Sequence, residues 1–184
     1  MAEVKPNVML FGHSFGKRLS CRSGRRGESV SQTLELDGEC ALSSFGQGGL
    51  TFCKILTDPS RYAQHILADG QLDLLIVDVG SNDLVGVIDN TPSFLSVLNA
   101  CDIFSKRIHI LSVIQRTSVG KHGMGTYNHR VKAFNACLAA CILQRPHVAL
   151  ISQTKINRPK LFVITGVTLQ TRVAQSIDME LSRA

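Results

Sequence analysis

Tryptophan is absent from the 184 residues, and aromatic residues make up only 5%. Stacking platforms for nucleic-acid bases are therefore not evident, and any contact with nucleic acid would be mainly electrostatic. Charged residues are few, at 18%, with a net charge of +6 that weakly favours acidic partners. No Cys-x-x-Cys pair occurs among Cys21, Cys40, Cys53, Cys101, Cys137 and Cys141, so no zinc site, other metal or cofactor is expected. Reduced, mostly buried thiols are expected instead, with Cys137 and Cys141 one helical turn apart. No apolar run approaches the roughly 20 residues that span a bilayer. The opening "MAEVKPN" lacks the apolar stretch of a signal peptide. The expectation is one soluble, intracellular domain over residues 1–184.

What is present is an apolar content of 44%, enough for a core. "NVMLFG" (7–12), "LDLLIVDVG" (72–80), "RIHILSVI" (107–114) and "HVALIS" (147–152) read as strands, apolar almost throughout as strands covered on both faces are. "ESVSQTLELDGECALSSFG" (28–46) carries a turn signal at Asp37-Gly38, which suggests a hairpin or two short strands. Helices are expected from Ser14 to about Arg22, over 48–70 with a break near Pro59, after Thr91-Pro92, and over 125–144. In the last of these Tyr127, Val131, Phe134, Leu138 and Cys141 fall at helical spacing. In the tail, Leu169, Val173, Ile177 and Leu181 stand four apart, as in a closing amphipathic helix. Alternating strands and helices imply an α/β fold: a parallel sheet of about five strands between two helical layers. Right-handed crossovers put the strand C-termini on one edge, where ligands bind in such sheets.

That edge collects three polar loops: Gly12-His13-Ser14, Gly46-Gln47-Gly48-Gly49 and Gly80-Ser81-Asn82-Asp83. A serine nucleophile needs an exposed hydroxyl at a tight turn and donors aimed at the developing oxyanion. Ser14 fits that description and equally that of a helix N-cap. Asn82 and Asp83 fit a donor loop and equally a turn after a strand.

The order G-x-S, glycine loop, G-x-N-D resembles the SGNH (GDSL-type) hydrolase superfamily. "GHSF" before a basic helix, "GQGGLT", "GSNDL" and "YNHRVKAFNACL" together resemble the compact SGNH-like domains of animal transposable-element proteins, over nearly the whole chain. The resemblance implies a flavodoxin-like three-layer fold and carboxylester hydrolysis of a small acyl ester. Ser14 would be the nucleophile; the amides of Ser14 and of Gly48 or Gly49, with the Asn82 side chain, would form the oxyanion hole.

The family's base is missing. Its Asp-x-x-His motif precedes the closing helix, where this chain reads "TGVTLQT": Thr165 stands for the aspartate and Thr168 for the histidine. In serine hydrolases losing the histidine costs on the order of 10⁶ in kcat, and donors alone leave about 10³ to 10⁴ over water. The expectation is a weak or inactive esterase serving as a binding or scaffold module. One alternative is a working esterase that uses another base, His122 in the mobile-looking loop "QRTSVGKHGMGT" or His13 beside Ser14. Another is electrostatic RNA binding by Lys17, Arg18, Arg22, Arg25 and Arg26, which read equally as a solvated helix face.

Overall fold

A computed structural model describes residues 5–13, 40–67, 70–85, 91–115 and 124–152. Five strands form one sheet: β1 (Asn7–Gly12), β2 (Ala41–Gly46), β3 (Leu74–Asp78), β4 (Ile108–Leu111) and β5 (Val148–Ile151). Four α-helices among the described residues accompany them: α1 (Phe52–Thr57), α2 (Pro59–Leu67), α3 (Thr91–Cys101) and α4 (Met124–Ile142). The strand order is β2-β1-β3-β4-β5, and every pairing is parallel. This is the flavodoxin-like order, with its topological switch point between β1 and β3.

Alternating strand residues divide between two apolar clusters because successive side chains point to opposite faces. Met9, Phe11, Leu75, Val77, Ile108 and Ile110 face α1 to α4 and join Phe52, Tyr62, Phe94, Val97, Val131 and Leu138 in the larger core. Val8, Leu10, Leu74, Ile76 and Leu111 line the other face with Cys40. Those strand side chains are as deeply buried as the first set, which is why β1 and β3 read as unbroken apolar runs rather than as alternating ones.

The expected break at Pro59 separates α1 from α2, and Gly70, at φ 81°, lies beyond the end of α2. The second half of the stretch read as a hairpin or two short strands is the strand Ala41–Gly46, which pairs in parallel with β1. Its first half, the helix from Ser14 and the tail helix lie outside the described residues. Among the described cysteines, Cys40 and Cys101 are buried, Cys137 and Cys141 partly so, and Cys53 is exposed. The sulfurs of Cys137 and Cys141 share one face, 3.9 Å apart. No helix among the described residues is long and apolar enough to cross a membrane.

Candidate active site

The three loops do meet at the switch point. β1 stays paired on both sides to its last residue: Gln47 N–H donates to the Gly12 carbonyl and His13 N–H to the Asp78 carbonyl, each at 3.0 Å. Gly12 is required there by contact. A Cβ at this position would lie 2.6 Å from the Asp78 carbonyl oxygen and 2.9 Å from its Cβ.

The glycine loop then turns, with Leu50 N–H donating to the Gln47 carbonyl at 3.3 Å and Gly49 at φ 67°. Thr51 caps α1 by accepting from Lys54 N–H at 3.3 Å. The Lys54 ammonium returns to the Gly49 carbonyl at 2.7 Å.

The third loop reaches both of the others. Gly80, at φ 105°, lets the chain turn sharply after β3. A Cβ there would press on Phe134, Val113 and Phe52 at 3.1 to 3.3 Å, so the turn lies flat on the core. Asn82 Nδ2 donates to the Leu50 carbonyl at 3.0 Å. Asp83 Oδ1 accepts from Phe52 N–H at 2.9 Å, satisfying an orphan amide of the first turn of α1. Ser81 Oγ lies 2.9 Å from His13 Nε2, and Asp78 Oδ1 lies 3.5 Å from the same nitrogen.

His13, Asp78 and Asp83 are all buried. Burial pushes the Asp78 carboxyl above the ordinary carboxylate range, with His13 acting against it. Burial also raises Asp83, opposed by the amides of Phe52 and of Asp83 itself and by His13. Asp78 Oδ2 makes no hydrogen bond among the described residues. The floor of the site is thus an imidazole with two carboxyls that solvent does little to stabilise as anions.

The "YNHRVKAFNACL" stretch of α4 proves to be the clamp for these loops. Tyr127 Oη donates to the Ser81 carbonyl at 3.4 Å. Arg130 Nη1 donates to the carbonyls of Leu84 and Val85 at 3.3 and 3.4 Å. Asn135 holds Val113 through both backbone groups, each at 2.9 Å. Val131 and Leu138 are buried in the core. Three polar side chains with the wrong character for a buried helix face are thereby explained by loops that need partners.

Of the residues singled out from sequence, His13, Gly48, Gly49 and Asn82 come together at this edge. Gly48 is exposed, with no atom within 4 Å of where its Cβ would stand. Ser14, His122, Thr165, Thr168, Lys17, Arg18, Arg22, Arg25 and Arg26 lie outside the described residues. Sequence reasoning missed Asp78 and Ser81. The signal for Asp78 was present, as a carboxylate interrupting the apolar run "LLIVDVG". Among the described residues no group of three or more His, Cys, Asp or Glu side chains stands ready to hold a metal ion.

No protein-family model matches the sequence, and no curated protein does. Solved structures do match. A GDSL-like lipase from Bacteroides thetaiotaomicron superposes with a TM-score of 0.67 at 12% identity, over 95% of this chain and 88% of the lipase. A member of the lipolytic G-D-S-L family from Veillonella parvula gives 0.61 at 13% identity, over 81% and 78%. The acetylxylan esterase Axe2 from Geobacillus stearothermophilus gives 0.57 at 12% identity, over 84% and 80%. The fold is that of the GDSL-type lipolytic hydrolases. At such identities the likeness concerns the fold alone, and function must be argued from this chain's own residues.

Proposed function

We propose that this chain is an SGNH-like domain that binds acyl-ester-like ligands and has lost efficient turnover at Ser14. Ser14 stands two residues after the last residue of β1 in the sequence, and the resemblance gives it the nucleophile's role. The amides of Gly48 or Gly49 and the Asn82 side chain are the oxyanion donors. The observation that carries this reading is the bond from Asn82 Nδ2 to the Leu50 carbonyl. It docks the carboxamide on the glycine loop and leaves its second N–H for a ligand oxygen.

Thr165 and Thr168 take the base positions, and neither hydroxyl accepts a proton near neutral pH. His13 does not serve as the base for Ser14, because its Nε2 already faces Ser81 Oγ at 2.9 Å and Asp78 at 3.5 Å. The domain then serves as a binding module rather than as an esterase. The resemblance to transposable-element domains supports a cytoplasmic or nuclear setting, with the arginine-rich stretch 17–26 available to acidic partners.

The test is p-nitrophenyl acetate hydrolysis by the wild type and by Ser14→Ala. Steady-state rates within about ten-fold of each other are expected, since donors without a base give only residual catalysis. Multiple turnovers that Ser14→Ala abolishes would instead establish a working esterase, with His122 the first base to replace.

A further inference from the structure

A second serine stands in the posture of a nucleophile. Ser81 follows β3 through the sharp turn at Gly80 and precedes the short 3-10 turn Asp83–Val85. Strand, tight turn and helical turn are the setting that exposes a nucleophilic hydroxyl at the top of an α/β sheet. Its Oγ is 2.9 Å from His13 Nε2, inside the range for proton transfer from nucleophile to base. Asp78 Oδ1 lies 3.5 Å from that same nitrogen, farther away than the Ser81 hydroxyl. Asn82, the next residue, carries a carboxamide donor held at the glycine loop. The hydroxyl is half-buried and the imidazole beneath it is buried.

We propose that Ser81 and His13 form a nucleophile–base pair that takes up one acyl group from an activated acyl ester. Ser81 Oγ attacks the carbonyl carbon while its proton passes to His13 Nε2. The tetrahedral oxyanion collapses, the bond to the alkoxy oxygen breaks, and the proton held on His13 leaves with the alcohol. The products are acyl-Ser81 and an alcohol, and no oxidant or other reactant is needed. At 3.5 Å Asp78 Oδ1 is beyond ordinary hydrogen-bond distance of Nε2, whereas Ser81 Oγ at 2.9 Å is within it, so Ser81 is the nearer partner of that nitrogen. Release of the acyl group would require a water between His13 and the acyl carbon.

The pair goes beyond the Ser14 reading and can fail separately from it. The experiment treats the full chain with an alkyl fluorophosphonate, which replaces fluoride at phosphorus by a serine oxygen and releases HF. Intact mass counts the label, and tryptic mapping locates it. Ser81 lies in peptide 62–106 and Ser14 in peptide 1–17. The expected result is one equivalent on Ser81, none on that peptide in Ser81→Ala, and labelling at least ten-fold slower in His13→Gln. Wild-type mapping decides the matter even if His13→Gln does not fold. Label on Ser14 alone would overturn the proposal and also count against the loss of base at Ser14. No label on folded wild type would overturn the proposal while leaving the binding-module reading intact.

Discussion

Replacing Gly12 by alanine is the sharpest structural test of how the site is assembled. The new Cβ would stand 2.6 Å from the Asp78 carbonyl oxygen and 2.9 Å from the Asp78 Cβ. Nonbonded carbon needs about 3.5 Å from its neighbours. Nothing flexible can move aside, because the nearest obstacle is backbone of the adjacent strand, and Gly12 and Asp78 are register partners in the middle of the sheet. β1 and β3 must spread, lengthening the 3.0 Å bond from His13 N–H to the Asp78 carbonyl. Overpacking of this kind costs about 1–3 kcal/mol, and a central clash against backbone belongs near the upper end. For a chain of this size that lowers the melting temperature by roughly 6–12 °C. The assay is thermal unfolding followed by far-ultraviolet circular dichroism. Gly48→Ala is the internal control: no atom lies within 4 Å of its Cβ, so its stability should stay within about 0.5 kcal/mol of wild type. Equal melting of Gly12→Ala and wild type would refute the close approach of β1 and β3, and with it the convergence of their loops.

Two further outcomes follow from the same geometry. Burial raises the Asp78 carboxyl above its ordinary value of 3.8, so between the two values the folded chain binds more protons than the unfolded one and stability falls as pH rises. Asp78→Asn should remove that fall and gain on wild type as pH increases from ~4 to ~8; parallel stability curves in denaturant titrations would contradict the assignment. Phe134 packs tilted against Phe52 and edge-to-face against Phe94, with ring centroids 5.9 Å away in each case, directly under Gly80. Phe134→Ala should cost roughly 3–5 kcal/mol in urea unfolding, and a loss below about 1 kcal/mol would show that this trio does not support the third loop.

The sheet was legible because its strands are buried on both faces, and uninterrupted apolar runs such as "LLIV" betray that directly. Their ends were less so. The run 72–80 contributes only Leu74–Asp78, since the chain leaves the ladder at the positive φ of Gly80. The partner of Ala41–Gly46 was illegible for a different reason: alternation carries no information about the direction of the neighbouring strand.

At the site, residue types were readable and their bonds were not. Asn82 stood out as a donor, yet its partner, the Leu50 carbonyl, lies 32 residues away. The His13–Ser81 contact spans 68 residues and exists only because β1 and β3 pair in the register that sets Gly12 opposite Asp78. The roles of Tyr127, Arg130 and Asn135 depend likewise on backbone groups of loops that no local pattern identifies.

Under the proposed function, Ser14 and the oxyanion donors would be intact and only the base at residues 165 and 168 would be gone. The most direct measurement is kcat/KM for p-nitrophenyl acetate in the double variant Thr165→Asp, Thr168→His. A recovered base should raise it at least ~100-fold over wild type, and adding Ser14→Ala should remove the gain. A folded double variant no faster than wild type would contradict the claim that the remainder of the site is preserved.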